Sequence, residues 1–403
     1  TLDDIAWVFN LRGKDVECNP VFYAFAVIST DVAWLFIEPA KVPAELKRRL
    51  NEAGIILKNY TDIQPFLSEL PAGKQILLDP STTNHTLYNA LPGDQIVKGE
   101  NIIRNLKAIK NPVEIGHIRH AMIKDGIALT RLFRWLFQTL ETRTVPETEV
   151  AEKLIAFRRE QGDYHGESFD AICGYNANGA IVHYHAEPDT CAHIQKQGIL
   201  LLDSGGQYTD GTTDITRTIA LDTPTAEQKK HFTLVLKGHI GLTLAKFPET
   251  TSGVQLDTLA RIFLWKNNLN YGHGTGHGVG FFLNVHEPPQ GFATNPGTSR
   301  GTTYIVPGML TSNEPGYYKE GAYGIRIENL ILCVEDAPVN GERWFRFESL
   351  TLFPIDLNLV EAGLLSEEEK EWLNAYHRDV FEKLSPHLTK EETEWLKNQC
   401  RPI

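Results

Sequence analysis

Four stretches between positions 200 and 330 carry side chains that could do chemistry. Leu200-Leu201-Leu202-Asp203-Ser204-Gly205-Gly206 puts a carboxylate at the end of a very apolar run, and Thr212-Thr213-Asp214-Ile215 puts a second one on the next strand-like stretch. The Gly-rich turn between them (GGQYTDG) would let paired strands bring both acids together. Two close carboxylates resist ionising together unless a cation or a shared proton intervenes. Asp is also a frequent turn residue, so this pair alone reads equally well as hairpin punctuation. The second stretch, Gly272–Gly280 (GHGTGHGVG), has glycine at every second position. It fits neither the dinucleotide G-x-G-x-x-G pattern nor a phosphate loop. His273 and His277 stand four apart, a zinc-pair spacing on a helix, but such glycine density argues against a helix. Glycines instead allow close approach or positive φ. The third stretch, Thr311–Tyr318 (TSNEPGYY), carries Glu314, and the fourth, Gly324–Leu330 (GIRIENL), carries Glu328 inside a run of strand formers. A lone carboxylate there is costly unless it is paired or metal-bound, and Arg326, two residues away on the same strand face, is the competing partner.

Taken together, Asp203, Asp214, His277, Glu314 and Glu328 form a set of four carboxylates and one imidazole on strands or strand edges. Such a set favours hard or borderline divalent ions, Mn²⁺ first, with Zn²⁺, Co²⁺ or Fe²⁺ as alternatives. Five ligands exceed the need of one tetrahedral zinc. Bridging carboxylates would hold two ions about 3.5–4 Å apart, the geometry of two-metal hydrolases.

These residues need a scaffold, and the flanking sequence supplies one. Residues 1–107 alternate strand-like stretches (Val21–Ser29, Val32–Glu38) with an amphipathic helix at Pro43–Gly54, the pattern of a small α/β domain. It contains no phosphate loop and no cluster of titratable groups, so it reads as non-catalytic. Asn111-Pro112-Val113-Glu114 then starts a long helix reaching about Leu140. Further helices are expected from Val145 to about Gly162, from the capping box Thr225–Gln228 toward Phe247, and over about 254–267. Strands are expected at 169–174, 199–204, 213–221, 305–313 and 325–334. Capped helices at Ser366 and Thr389 form a C-terminal extension. Hairpin-like strands between long helices give residues 108–403 an α+β reading, with helices on one face of an antiparallel sheet.

Composition narrows the functional classes. The chain has 403 residues, 39 Lys+Arg against 51 Asp+Glu, and a formal charge of −12. That balance, without a basic stripe, argues against nucleic-acid or anionic-membrane binding. No apolar run approaches the ~18 residues of a membrane span. The five cysteines are odd in number, widely spaced and lack C-x-x-C, which fits a reducing compartment rather than a disulfide framework or a thiolate metal site.

The order and context of the motifs resemble the pita-bread metallopeptidases, which include methionine aminopeptidase, prolidase and aminopeptidase P. LLDSGGQYTDGTTDITRT, YGHGTGHGVGFFLNVHE, SNEPGYY and GIRIENL look like aminopeptidase P (Xaa-Pro aminopeptidase), as do IAWVFNLRG and NPVFYAFAVI near the start. The likeness is to its long cytosolic three-domain form, which has a further domain upstream of Thr1-Leu2-Asp3-Asp4. The resemblance implies an α+β fold: a C-terminal pita-bread (creatinase/aminopeptidase) domain over 108–403, preceded by an α/β creatinase-type domain over 1–107. It implies a cytoplasmic homodimer that acts on proline-containing peptides. Two metal ions would be bound per chain, Asp203 holding one, Asp214 and Glu328 bridging both, and His277 and Glu314 completing the second. A metal-bridging hydroxide would attack the carbonyl of an Xaa-Pro bond and release the N-terminal residue, with Glu314 moving the proton. His183 and His286 resemble residues that contact substrate and stabilise the transition state. His273, Arg326 and Tyr318 resemble the lining of the proline-side pocket. From the residues alone, His183 and His185 in HYH read as a surface pair on one strand face. Prolidase, which shares the ligand set, and a non-catalytic pita-bread binding protein are the alternatives.

Overall fold

The computed structural model describes residues 1–403, which divide into two compact units, Thr1–Lys107 and Ala108–Ile403. In the first unit, strands Ala24–Ile28 and Ala33–Ile37 pair antiparallel, and Ile55–Lys58 adds parallel to the second of them. A parallel pair, Ile76–Leu78 with Ile96–Lys98, stands apart. Short helices such as Ala44–Glu52 and Ile63–Ser68 connect the strands, and Phe36, Ile63, Leu67 and Leu91 form a small core.

The second unit holds two larger sheets, both antiparallel throughout. A four-stranded sheet centres on Ile199–Tyr208, which pairs with Tyr164–Tyr175 on one side and with Gly211–Thr212 and Ile215–Ala220 on the other. A six-stranded sheet runs in the order Lys246–Pro248, Trp344–Ser349, Asn329–Glu335, Leu310–Asn313, Gly276–Gly278, Glu287–Phe292. Each sheet has its own helix pair. The helix Pro112–Leu140, begun by the Asn111–Glu114 capping box, and Glu147–Arg159 bury Leu129, Leu132, Val150 and Leu154 against Leu200, Leu202, Ile215 and Ile219 of the first sheet. Ala226–Thr243 and Gly253–Trp265 bury Leu242, Leu256 and Ala260 against Phe292, Ile331 and Phe345 of the second. Helices Glu367–Leu384 and Lys390–Gln399 close the chain, each begun by a capping box. No helix is long and apolar enough to cross a membrane.

Three local expectations change. The strand expected over 305–313 is confined to Leu310–Asn313, because Pro307 lacks an N–H and Gly308 turns the chain at φ 92°. The strand expected over 325–334 is two strands. Tyr323–Arg326 forms a ribbon with Gly316–Lys319, whereas Asn329–Glu335 belongs to the six-stranded sheet. Ile327 and Glu328 form the joint between them. Finally, residues 181–190, with the HYH triplet, contain no strand; they follow a short 3₁₀ helix, Asn176–Ala180.

Candidate metal centre

Ligand-type side chains reach one buried place from both sheets. Asp203 sits in mid-strand opposite Thr216, and Asp214 occupies the gap between Gly211–Thr212 and Ile215–Ala220. The hairpin therefore sets Asp203 on one strand and Asp214 in the break of the chain that pairs with it. His277 is the middle residue of Gly276–Gly278, Glu314 directly follows Leu310–Asn313, and Glu328 is the joint residue. The alternating glycines around His277 answer to close approach rather than to backbone twist. A Cβ on Gly276 would lie 1.8 Å from the Ser312 carbonyl oxygen, and one on Gly278 would lie 2.3 Å from that of Glu287. Only glycine lets this strand lie between its neighbours and bring His277 to the acids.

Ligand-type atoms of Asp214, His277 and Glu328 lie within 4.8 Å of one another. His277 Nε2 is 3.5 Å from Asp214 Oδ2 and 3.5 Å from Glu314 Oε1. The proton positions are fixed by geometry. His277 Nδ1 is 3.0 Å from the Gly278 carbonyl, which can only accept, so Nδ1 carries the hydrogen. Burial holds the imidazole neutral, with its pKa at about 3. The Nε2 lone pair therefore faces two carboxylate oxygens, an arrangement that repels unless a cation or a carboxyl proton stands between.

The acids show the same deficit. Burial drives Glu314 up to about 7 and raises Asp214 and Glu328 well above the carboxylate range; neighbouring acids push in the same direction. One guanidinium, Arg326, lies among them, and its Nη2 donates to Asp203 Oδ2 at 2.6 Å. The competing pairing of Arg326 with Glu328 is replaced by this contact. Asp203 Oδ1 is buried with no partner. A neutral imidazole, an orphaned carboxylate oxygen and four clustered acids are the donor chemistry that divalent cations satisfy, so the residues fit a metal centre.

The remaining candidates surround this cluster. Arg326 Nη1 donates to the Tyr318 hydroxyl at 2.7 Å, and Tyr318 donates to His273 Nε2 at 2.8 Å. His273 Nδ1 donates to the Gly274 carbonyl at 2.7 Å, and burial holds its pKa at about 4. Asp203, Arg326, Tyr318 and His273 thus form one continuous hydrogen-bonded chain. The His286 ring packs edge-on against His277 with centroids 4.3 Å apart, and burial lowers its pKa. His183 is exposed on the 181–190 segment, within electrostatic range of His273 and His286.

Several supporting residues escaped the sequence reading. Thr216 Oγ1 donates to Glu328 Oε2 at 2.7 Å and accepts from Arg326 Nε at 3.1 Å. Ser312 Oγ donates to Glu314 Oε1 at 3.1 Å and accepts from the His277 N–H at 3.0 Å. Arg217, 2% exposed, donates to the Glu328 carbonyl at 2.6 Å and reaches the Phe353 and Pro354 carbonyls and the Tyr376 hydroxyl. It ties the ligand-bearing joint to the C-terminal segment. The available signal was polar residues alternating through a buried strand (Thr216-Arg217-Thr218), each of which needs a partner.

A two-sheet antiparallel domain with acids and a histidine converging between the sheets defines a class of metal-dependent hydrolase fold. Comparison with known proteins makes the assignment: residues 116–335 match metallopeptidase family M24, residues 1–114 the creatinase/prolidase N-terminal domain, and residues 343–403 the C-terminal region of peptidase M24. The chain belongs to metallopeptidase family M24, with the pita-bread fold. Aminopeptidase P2 of Arabidopsis thaliana is 43% identical over 440 residues, covering 100% of this chain, and this chain spans 61% of that relative's length. The X-prolyl aminopeptidase of Caenorhabditis elegans, described as a cytosolic enzyme with a di-nuclear active site, superposes with a TM-score of 0.94 at 35% identity, over 100% of this chain and 67% of that one. The Xaa-Pro dipeptidase of Bacillus anthracis, with a TM-score of 0.70 at 24% identity over 88% and 92% of the two chains, shares the fold.

Proposed function

We propose that this chain carries the catalytic domain of a metal-dependent Xaa-Pro aminopeptidase, which removes the N-terminal residue from peptides with proline in second position. The observation that carries the reading is the His277 Nε2 lone pair facing Asp214 and Glu314 at 3.5 Å each. The names of the aminopeptidase relatives support the substrate class. Asp203, Asp214, His277, Glu314 and Glu328 would hold two divalent ions, for which we propose Mn²⁺. Such ions supply Lewis acidity, polarising a carbonyl and bringing a water's pKa toward neutrality.

The chain's own residues do the rest. Ser312 engages Glu314 Oε1, which leaves Oε2 to take a proton from the attacking water and pass it to the leaving proline nitrogen. His286 and His183 donate to the oxygen that gains charge in the transition state. Proline has no amide N–H, so its selection rests on ring shape. Tyr318 and Arg326 hold His273 in one orientation as a wall of that pocket. The proposal extends to a cytoplasmic location, in line with the nematode enzyme's description, and to a homodimer.

The test is turnover of an Xaa-Pro-Xaa peptide after chelation and again after Mn²⁺ is restored, beside an Xaa-Pro dipeptide. Metal-dependent cleavage of the longer peptide is expected. Cleavage of the dipeptide alone would make the enzyme a prolidase, and no cleavage of either with no metal bound would leave a binding protein.

A further inference from the structure

Glu147 opens the helix Glu147–Arg159, far in sequence from every candidate ligand, and is 0% exposed. Its carboxylate has no cationic partner but collects hydrogen bonds from one segment. Oε1 accepts from the Tyr175 N–H at 2.7 Å and from Asn178 Nδ2 at 3.0 Å. Oε2 accepts from Asn178 Nδ2 at 3.1 Å, the Tyr184 hydroxyl at 2.9 Å and the Ala192 N–H at 2.8 Å. The Glu147 N–H donates in turn to the Ala192 carbonyl at 3.1 Å. Tyr175 and Ala192 are the two ends of the excursion between strands Tyr164–Tyr175 and His193–Ile194, and Tyr184 is the neighbour of His183.

The excursion needs such an anchor. Beyond the 3₁₀ turn it has no regular structure, and its other hydrogen bonds are internal turns: Tyr184 to Ile181 at 3.1 Å, Thr190 to Glu187 at 3.1 Å and Cys191 to Glu187 at 2.8 Å. The exceptions are the Ile199 N–H bond to Asn176 Oδ1 at 3.0 Å, at the start of the excursion, and a Thr148 Oγ1–Cys191 Sγ contact at 3.8 Å. On the near side, Gly179 packs so tightly on Gly324 of the Tyr323–Arg326 strand that a Cβ on Gly324 would lie 1.6 Å from the Gly179 carbonyl oxygen. That contact fixes the start of the excursion, two residues before Arg326 on the facing strand. The stretch that presents His183 to the site is held by Glu147 through Tyr184.

We propose that Glu147 is a positioning residue for His183, acting through the Tyr184 hydroxyl and both ends of the excursion; the proposal rests on the reading of His183 as a substrate contact. A pocket residue displaced by about 1 Å can cost about 100-fold in rate, so loss of this clamp reads out in kcat rather than in metal content.

The test uses the full chain loaded with Mn²⁺ and an Xaa-Pro-Xaa peptide. Glu147→Gln is expected to lower kcat by about 100-fold, and Tyr184→Phe by about tenfold, with metal content unchanged. In a His183→Ala background neither substitution should lower kcat further, and hydrogen exchange over residues 176–192 should quicken in both single variants. The same fold-loss with and without His183, or a loss of metal in Glu147→Gln, overturns the proposal, because either makes Glu147 a general structural residue. Unchanged kcat in Tyr184→Phe together with unchanged exchange overturns it even where Glu147→Gln does not fold. Full activity in His183→Ala removes the reading of His183 itself; loss in His183→Ala with none in Glu147→Gln removes only the clamp.

Discussion

The strand Ile199–Tyr208 has a buried charge cluster on each face, and the two are built on opposite terms. On the face of Ser204 and Tyr208, Arg158 is fully buried between Asp125 and Glu167. Its Nε and Nη2 take both oxygens of Asp125 at 2.8 and 3.2 Å, and its Nη1 takes Glu167 Oε2 at 2.7 Å. Tyr164 completes Glu167, Tyr208 adds a bond to Asp125 at 3.0 Å, and the remaining guanidinium hydrogens reach Ser204 Oγ and the Gly205 carbonyl. Every carboxylate oxygen there has a donor. On the face of Asp203, four acids share one guanidinium, the Asp214 carboxylate accepts no hydrogen bond, and Asp203 Oδ1 is orphaned. The same strand and the same degree of burial thus carry a self-contained network on one side and an incomplete one on the other. Burial alone does not mark a ligand site; an unmet acceptor within a cluster of acids and an imidazole does.

That contrast can be broken most sharply at the shared acids. Asp214→Asn or Glu328→Gln should abolish Xaa-Pro-Xaa hydrolysis and lower bound metal, measured by mass spectrometry, while the metal-free protein melts no lower than the parent because an amide, unlike these carboxyls, needs no proton to be buried. Full activity in either variant would sink the metal reading. The complementary change, Arg158→Met, leaves Asp125 and Glu167 buried without their cation. It should cost about 3–5 kcal/mol in urea unfolding of metal-free protein, since breaking a buried pair strands a charge. A smaller effect is expected at Thr216→Val, which deletes the hydroxyl between Glu328 and Arg326. Metal affinity should fall about 10- to 100-fold, with activity recovered at saturating Mn²⁺.

The most graded test is pH. Burial raises Glu314 from 4.5 to about 7, and Asp214 and Glu328 shift upward too. In metal-free protein the native state keeps protons that the unfolded chain has released. Their stabilisation is therefore full below the unfolded carboxylate range and is lost as pH rises through about 7. Buried histidines with lowered pKa run the other way at acid pH, so the acids are isolated by comparing the parent with Glu314→Gln in chelator: the parent's urea midpoint should fall relative to the variant's between pH 5 and pH 8, with Mn²⁺ abolishing the relative fall. A pH-independent difference in chelator would mean that Glu314 is not proton-loaded without metal.

Much of this could be seen in the sequence because charged residues in apolar runs are expensive. Asp203 after three leucines and Glu328 directly after Ile327 in a run of strand formers advertise a partner from the sequence alone. Helix starts were equally legible, since the capping residues are local; Asn111, Thr225, Ser366 and Thr389 all begin helices. What escaped depends on distant chain. Ile325 to Val334 reads as one strand because both halves are apolar, and only a change of partner, from Gly316–Lys319 to Leu310–Asn313, breaks it at Glu328. Arg158, Arg217 and Glu147 look like ordinary helix or strand residues until their hydrogen-bond partners, up to 159 positions away, are placed beside them.

The joint at Ile327–Glu328 also has a mechanical consequence. Asp203 and Asp214 belong to the four-stranded sheet, His277 and Glu314 to strands of the six-stranded one or their ends, and the Glu328 N–H reaches across to the Thr216 carbonyl at 3.1 Å. Any cation held by this set is a cross-link between two half-domains that otherwise carry separate helix pairs. Its binding free energy adds to the native state as RT ln(1 + [L]/Kd), and it does so at the seam rather than within either half. Metal occupancy would therefore reinforce the coupling that a shared core, with Ile118 and Ile199 from one half and Leu236 and Leu310 from the other, already gives them.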